Sequence, residues 1–338
     1  MGLKYILVAI TFFSLFCVSI GWIITNFYFF IIEGTEFILH GKNFAENIYY
    51  SVYLKWILLA DISWIIGSFV FMLQRKDFKT NPKLHYLNYK KIENPEICVV
   101  IPTYNEQATI EKVVRDFISQ KYVKYVIIID NNSDDETAKI AEKNGAIVVR
   151  KKKNEGFAHS YTLGCKEALK TDANVIVTTE AGDTYNAYDI SKMLSYLENC
   201  DMVVGSRQNQ LLTEKGNQNS ILHVWGNLLL AKLIQLKYFN LLHLGFVNLT
   251  DVGCVYRIFK REYLERIVNK LTYQNSDQPI AGLAISLHIT ILAIENDFRI
   301  MEIPVTFKKR IDKSKLGSDK KLKAIKYGLI YLWFILKT

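Results

Sequence analysis

The hydrophobic pattern divides the chain in two. From Tyr5 to Ile32 it runs through twenty-eight consecutive uncharged, mostly apolar residues. About 20 suffice to span a bilayer, so this run predicts a membrane helix. A second apolar run, Tyr49 to Gln74, is interrupted only by Lys55 and Asp61 and predicts another. A cleaved signal peptide fits the first run poorly, because the stretch is too long and no small-x-small site follows it. From Asn94 onward the pattern changes to short β-branched runs: Ile97–Ile101, Tyr125–Asp130, Ala146–Arg150, Val175–Thr179 and Met202–Gly205. They alternate with amphipathic stretches at Gln107–Ser119, Glu136–Asn144, Ala158–Lys170 and Ala187–Leu197. Such alternation predicts an α/β domain with a mainly parallel sheet flanked by helices. In these sheets ligands bind beyond the carboxyl ends of the strands.

Composition adds exclusions. Half of the 338 residues are apolar and 22% are charged, which excludes a disordered or nucleic-acid-coating chain. The net charge of +9 is concentrated in residues 308–326, nine basic against two acidic, just before the apolar tail Tyr327 to Leu336. A basic run beside apolar residues attracts anionic lipid headgroups at about 1 kcal/mol per Lys or Arg. Nucleic acid is not expected as a partner of a chain held by two membrane helices. The loop from Glu33 to Leu54 holds only Lys42, whereas Arg75 to Lys91 holds six basic residues. The positive-inside rule therefore puts the main body on the cytoplasmic face. Cys17, Cys98, Cys165, Cys200 and Cys254 form no C-x-x-C pair, so neither a disulfide framework nor a zinc site is indicated.

Polar clusters fall just after the β-branched runs. They are Pro102-Thr103-Tyr104-Asn105-Glu106, Asp130 to Thr137, Asn154-Glu155-Gly156-Phe157-Ala158 and Glu180-Ala181-Gly182-Asp183-Thr184. Taken singly each has a bland reading: Asn105 or Ser133 as a helix cap, Gly156 as a positive-φ residue. Four acid- or glycine-bearing loops on one sheet edge are harder to dismiss.

Together these loops resemble those of family-2 glycosyltransferases with the GT-A fold, and more narrowly the dolichyl- or polyprenyl-phosphate sugar synthases. The resemblance covers roughly Pro95 to Leu316. It extends through Val203-Val204-Gly205-Ser206-Arg207, Leu249 to Cys254, Tyr256-Arg257, Glu302-Ile303-Pro304-Val305 and Lys313-Ser314-Lys315-Leu316. It implies that Pro102, Tyr104, Glu106 and Asp130 hold the base and ribose of a nucleotide sugar. Gly156 would let the backbone approach the diphosphate. The Glu180–Asp183 loop would carry a divalent cation, Mg2+ or Mn2+, with Asp183 as its ligand. Relatives usually read Asp-x-Asp or Glu-Ala-Asp-Gly-Thr there, whereas this chain exchanges the middle Asp and the following Gly. Either Gly182 lets the turn relax so that Asp183 reaches the same metal, or metal binding is weakened; the first is the expectation.

The resemblance also implies an active-site role for Asp251, as a base or in orienting the donor sugar. Arg207 and Arg257 would neutralise phosphate charge, for which the guanidinium fork is well shaped. The plain alternative for both is a solvated ion pair. His288 stands near where relatives carry an acid, and a tolerated histidine is the expected reading. Lys313 and Lys315 are the candidate contacts to a lipid acceptor. Ser220 to Leu244 is apolar enough to pass for a third span, but crossing would part Asp183 from Asp251, so an interfacial helix is expected.

The expected layout is two membrane helices (1–75), a basic linker (76–94), a GT-A domain (95–316) and a basic, apolar membrane-interface helix (317–338). The expected activity is an inverting, membrane-bound glycosyltransferase. It would move a sugar from a nucleotide sugar to a lipid-linked acceptor, foremost a polyprenyl or dolichyl phosphate. Transfer to a hydroxyl of a lipid-linked saccharide, and a silent nucleotide-sugar-binding scaffold, are the alternatives. A dinucleotide-dependent dehydrogenase is disfavoured, since no G-x-G-x-x-G follows the first strand.

Overall fold

The computed structural model describes residues 89–217, 220–240, 245–246, 248–271, 284–311 and 321–338, with scattered positions between 14 and 67. Contacts divide the chain into Met1–Lys76 with Leu336–Thr338, and Asp77–Ile335. In the first unit the described residues within 14–40 and 59–67 are helical, and they expose Ile24, Phe27 and Tyr28. Thr35 and Ser63 return their hydroxyls to the carbonyls of Ile32 and Leu59, each at 2.7 Å. No helix of the described residues is long and apolar enough to cross a membrane. Most of the two predicted spans, Asp61 included, lies outside those residues.

The second unit is built on a seven-stranded mixed sheet. Its elements in order are β1 (Ile97–Thr103), α1 (Ile110–Ile118), β2 (Val123–Asp130), α2 (Thr137–Lys143), β3 (Ile147–Arg150), α3 (Phe157–Ala168) and β4 (Val175–Thr178). There follow α4 (Asp189–Leu197), β5 (Met202–Ser206), α5 (Ile221–Lys237), β6 (Arg257–Lys260), α6 (Arg261–Val268), α7 (Ile285–Glu295), β7 (Ile300–Pro304) and α8 (Lys321–Lys337). The strand order is β3-β2-β1-β4-β6-β5-β7. All neighbours run parallel except β6, which is antiparallel to both β4 and β5.

Register brings the polar loops to one edge. Thr103 pairs with Asp130 and Asp130 with Arg150, so β1, β2 and β3 end level. Ser206 pairs with Pro304, so β5 and β7 end together as well. Running the other way, β6 begins at Arg257, opposite Thr178 and Val204, and thus carries the Leu249–Tyr256 segment to the same edge. Strands β1 and β4 are buried along their whole length, and α1 packs Ile110, Val113, Val114 and Phe117 on the core at helical spacing.

A second apolar cluster joins α5, α7 and α8 through Leu230, Ile234, Val252, Leu287, Ile291 and Ile335. Ser220 to Leu244 is thus helical over Ile221–Lys237, and the tail helix covers Lys321–Lys337. Lys237 Nζ donates to the Ile335 carbonyl at 2.5 Å, tying α5 to α8. His288 is an interior packing residue of α7. Its ring meets Phe334 edge-on at 5.4 Å, and burial lowers its pKa.

Candidate active site

The first two loops are stitched together by side chains. Asn105 takes a left-handed backbone (φ 53°), its N–H donates to Ser133 Oγ at 2.9 Å, and its Oδ1 accepts from Asp134 N at 2.9 Å. Glu106 N–H donates to Thr137 Oγ1 at 2.9 Å. Asn105 and Ser133 are therefore loop-to-loop braces rather than helix caps. Asp130 is fully buried at the end of β2, where it accepts from Ser133 N at 3.2 Å and pairs with Arg150 at 3.3 Å. Asn131 extends the network to the third loop. It donates to Asn154 Oδ1 at 2.6 Å, while its own Oδ1 accepts from Lys151 Nζ at 2.7 Å and Glu155 N at 3.1 Å. Burial lowers the Lys151 pKa, with Glu155 opposing. Gly156 sits at φ 86°, ψ 171°, a region only glycine enters freely, and a Cβ there would face open space. It therefore serves the turn and leaves the start of α3 open. Pro102 is buried in β1 and Tyr104 is half-buried in the loop that follows.

The acidic loop explains its exchanged residues. Asp183 holds φ 51°, the left-handed conformation that a glycine ordinarily fills and that Asp tolerates better than most residues. The turn is thus kept, with a carboxylate at its left-handed position. Gly182 makes room on the other side, since a Cβ there would lie 2.8 Å from Arg310 Cζ. The loop is fixed to its neighbours through Thr109 Oγ1 to the Ala181 carbonyl (2.7 Å) and Lys308 N to the Thr184 carbonyl (2.7 Å).

Three basic side chains meet the acids there. Lys112, in the first turn of α1, donates to Asp183 Oδ2 at 2.5 Å, and Lys308 to Asp183 Oδ1 at 3.1 Å. Arg310 pairs with Glu106 through Nη2 and with Glu180 through Nη1 at 3.6 Å. The hydrogen bond to Asp183 raises the Lys112 pKa against a small burial penalty. Glu180 and Asp183 supply hard oxygen donors on one loop, a chemistry that suits Mg2+ or Mn2+. Among the described residues no three His, Cys, Asp or Glu side chains form a metal cage. These two carboxylates would therefore hold a cation together with substrate phosphate oxygens and water.

Beside this loop lies a buried ion pair. Asp251 is fully buried and accepts from Arg207 N (3.1 Å), Nε (2.7 Å) and Nη2 (2.7 Å), and from Gly253 N (3.1 Å). Burial pushes its pKa up, but the Arg207 charge and these hydrogen bonds outweigh it and hold the carboxyl below the usual aspartate value. Glu302 of β7 supports the segment, accepting from Thr250 N at 2.7 Å, from Thr250 Oγ1 and from Asp251 N at 3.2 Å. Arg257 is also fully buried. Its Nε donates to the Cys254 carbonyl at 3.0 Å, while Nη1 and Nη2 meet no acceptor among the described residues. Burial pushes the Cys254 thiol up to about 12, which makes it a packing group rather than a nucleophile. Phe307 links the two clusters: Arg207 lies over its ring at 5.4 Å, and Tyr185, just after the acidic loop, meets it at 5.6 Å with the rings tilted by 48°.

The fold thus gathers Pro102, Tyr104, Glu106, Asp130, Gly156, Glu180, Asp183, Arg207, Asp251 and Arg257 at or beneath one sheet edge. Lys313 and Lys315 lie outside the described residues. The basic run needs a correction: Lys308 and Arg310 turn inward to Asp183, Glu106 and Glu180, and are not lipid-facing charges. Lys112 was missed altogether: no motif marks it, and it acts through a partner distant in sequence. Glu302 stood within the Glu302-Ile303-Pro304-Val305 match without a role of its own, because its partners Thr250 and Asp251 are likewise distant in sequence.

Residues 98–268 match the family model described as Glycosyl transferase family 2. The polyprenol monophosphomannose synthase of Mycolicibacterium smegmatis is 26% identical over 219 residues, 63% of this chain and 77% of that protein. The dolichyl-phosphate hexose transferase of Haloferax volcanii is 27% identical over 223 residues, 65% of this chain and 86% of that one. Among solved structures, glucosyl-3-phosphoglycerate synthase from Mycobacterium tuberculosis, in complex with Mn2+, UDP and glucosyl-3-phosphoglycerate, superposes with a TM-score of 0.50 at 16% identity, over 78% of this chain and 88% of that one. With a GT-A-like mixed sheet, the loops at its edge and a family match over half its length, the chain belongs to glycosyl transferase family 2 and is a glycosyltransferase.

Proposed function

We propose that this glycosyltransferase moves a sugar, with inversion, from a nucleoside-diphosphate sugar to the phosphate of a polyprenyl or dolichyl phosphate at a membrane surface. The observation that carries the choice of acceptor is the state of Asp251. A hydroxyl acceptor needs a base to take its proton, whereas a lipid phosphate is already ionised and needs mainly positioning. Asp251 is clamped by Arg207 with its pKa held low, which suits a positioning group and not a base. Relatives named for polyprenol and dolichyl-phosphate products point the same way.

In this reading an acceptor phosphate oxygen attacks the anomeric carbon from the face opposite the leaving group. The new C–O bond forms as the bond to the diphosphate breaks, and the nucleoside diphosphate leaves. Pro102, Tyr104, Glu106 and Asp130 line the base and ribose side. The open backbone at Gly156 faces the phosphates. Glu180 and Asp183 would hold a Mg2+ or Mn2+, which when bound would offset charge on the leaving diphosphate. Arg207 is kept in place by Asp251 and, with the buried Arg257, supplies positive charge toward the acceptor phosphate.

The membrane side of the proposal keeps the layout of spans in 1–75, a basic linker at 76–94, the catalytic domain at 95–316 and an interfacial helix at 317–338, with the catalytic domain on the cytoplasmic face. Two exposed apolar stripes support it. Ile221, Trp225 and Leu229 recur every four residues on α5, and Leu322, Ile325, Leu329 and Trp333 form a stripe on α8 beside Lys323 and Lys326. Large exposed apolar patches of this kind mark interaction surfaces, and Trp with flanking Lys suits a lipid interface.

The test is an incubation of the purified full chain with labelled UDP- and GDP-sugars and polyprenyl phosphate as sole acceptor. Label in a polyprenyl-phosphate sugar is expected. Transfer only when a lipid-linked saccharide is supplied would transfer the assignment to the hydroxyl-acceptor alternative, and label in neither product would leave the binding scaffold.

A further inference from the structure

Three carboxylates, Glu106, Glu180 and Asp183, face three cations, Lys112, Lys308 and Arg310, in the pocket where the preceding reading puts the diphosphate. The charges balance one for one. A divalent cation arriving alone would add two positive charges to a neutral cluster and compete with ammonium and guanidinium groups for every carboxylate. A nucleoside diphosphate arriving with its cation is a net anion, and it offers the basic groups better partners, because an arginine fork matches phosphate oxygens.

The anchoring of the basic residues fits an exchange of partners. Phe307 N bonds the Leu212 carbonyl (2.8 Å), Lys308 N the Thr184 carbonyl (2.7 Å) and Lys309 N Glu214 Oε2 (2.7 Å), so the backbone of the strap that follows β7, residues 307–310, is pinned to both neighbouring loops. Only long side chains need to move. Arg310 is held at its tips alone, and its buried Nε has no hydrogen-bond partner among the described residues. Its guanidinium rests on Gly182, where a Cβ would meet Cζ at 2.8 Å, so the Gly–Asp exchange in the acidic loop is what admits it.

We propose that Arg310, assisted by Lys308, is a displaceable internal counter-ion: in the free enzyme it occupies the carboxylates, and an incoming nucleoside diphosphate draws it onto the phosphates and frees Glu180 and Asp183 for the cation. This rests on the assignment of those two acids as the cation's ligands. It makes cation and nucleotide binding mutually dependent, each tightening the other by the same factor, about 5- to 150-fold for couplings of ordinary size.

The experiment is Mn2+ binding to the full-length protein in detergent, followed by electron paramagnetic resonance, with and without UDP or GDP, whichever binds more tightly. Wild type should take Mn2+ weakly alone and at least about fivefold more tightly with the nucleotide. Arg310→Gln should tighten Mn2+ binding in the absence of nucleotide and weaken nucleotide binding. Gly182→Ala ejects the guanidinium but keeps its charge, so it should tighten Mn2+ binding while nucleotide affinity is retained. These opposite effects on the nucleotide separate displacement from a general loss of structure. Equal nucleotide-free Mn2+ affinities in all three proteins, with normal Mn2+ binding once nucleotide is present, would overturn the counter-ion role alone. No Mn2+ binding under any condition would overturn both it and the cation-ligand assignment.

Discussion

Two acid–base clusters lie side by side at the sheet edge, and they are built in opposite ways. In the pair Arg207–Asp251 the acid side chain is fully buried and the base only 19% exposed, with the carboxylate saturated by Arg207 and a Gly253 N–H. In the cluster around Asp183 the acids range from 5% to 24% exposed, and Lys112 at 56% and Lys308 at 26% reach in from a helix and a strap, with Arg310 at 11%. The first resists exchange, because separating a buried pair strands a charge in the interior. The second exchanges more readily, because Lys112 and Lys308 stay close to water and Arg310 is shared between two carboxylates rather than clamped onto one, so these cations can be taken over by another ligand. A transferase needs both kinds of site, one fixed to position an acceptor and one that opens to admit and release a donor.

Substitution should separate them. Asp251→Ala strands Arg207 and should cost about 3–5 kcal/mol in stability by chemical denaturation, with activity lost. If the variant unfolds like wild type, the fixed pair is not structural and the contrast fails. Asp183→Asn should cost about 10²- to 10³-fold in turnover while moving stability by less than about 1 kcal/mol. Near-normal turnover at ordinary metal concentrations would remove Asp183 from the donor site.

The pH dependence of stability sharpens the same contrast. Asp251 has its pKa lowered in the folded state, so its contribution is present at neutral pH and is lost as pH falls through that depressed value. Glu302 runs the other way. Burial raises its pKa against the hydrogen bonds from Thr250 and Asp251, so its contribution is present in acid and declines as pH rises through the raised value. Glu302→Gln should therefore leave neutral-pH stability within about 1 kcal/mol of wild type, since a neutral amide oxygen still accepts from Thr250. Acid titrations of unfolding for this variant and for Asp251→Asn should shift in opposite senses. The smallest effect is expected from Lys313→Gln with Lys315→Gln. If these lysines gather the lipid phosphate, KM for the acceptor rises while kcat stays put.

Much of this architecture was readable from pattern. The runs at Ile97, Tyr125, Ala146, Val175 and Met202 became β1 to β5 within a few residues, because alternation of β-branched runs with amphipathic stretches dictates a parallel sheet and hence a functional edge. Strand β6 was not readable. Arg257–Lys260 is four residues long, and its antiparallel place between β4 and β5 is settled by pairings far away in sequence. The strap was misread for the same reason. Lys308 and Arg310 look like part of a lipid-facing charge run until β7, parallel to β5, delivers them to the loop of Asp183.

The most direct test of the two-cluster account is a structure of the full chain with Mn2+ and the nucleoside diphosphate it binds, located by manganese anomalous scattering. The account predicts a peak between Glu180, Asp183 and the diphosphate, with Lys308 and Arg310 turned onto phosphate oxygens and the Arg207–Asp251 pair unchanged. A peak elsewhere, or an opened Arg207–Asp251 pair with Asp183 still held by Lys112 and Lys308, would contradict it.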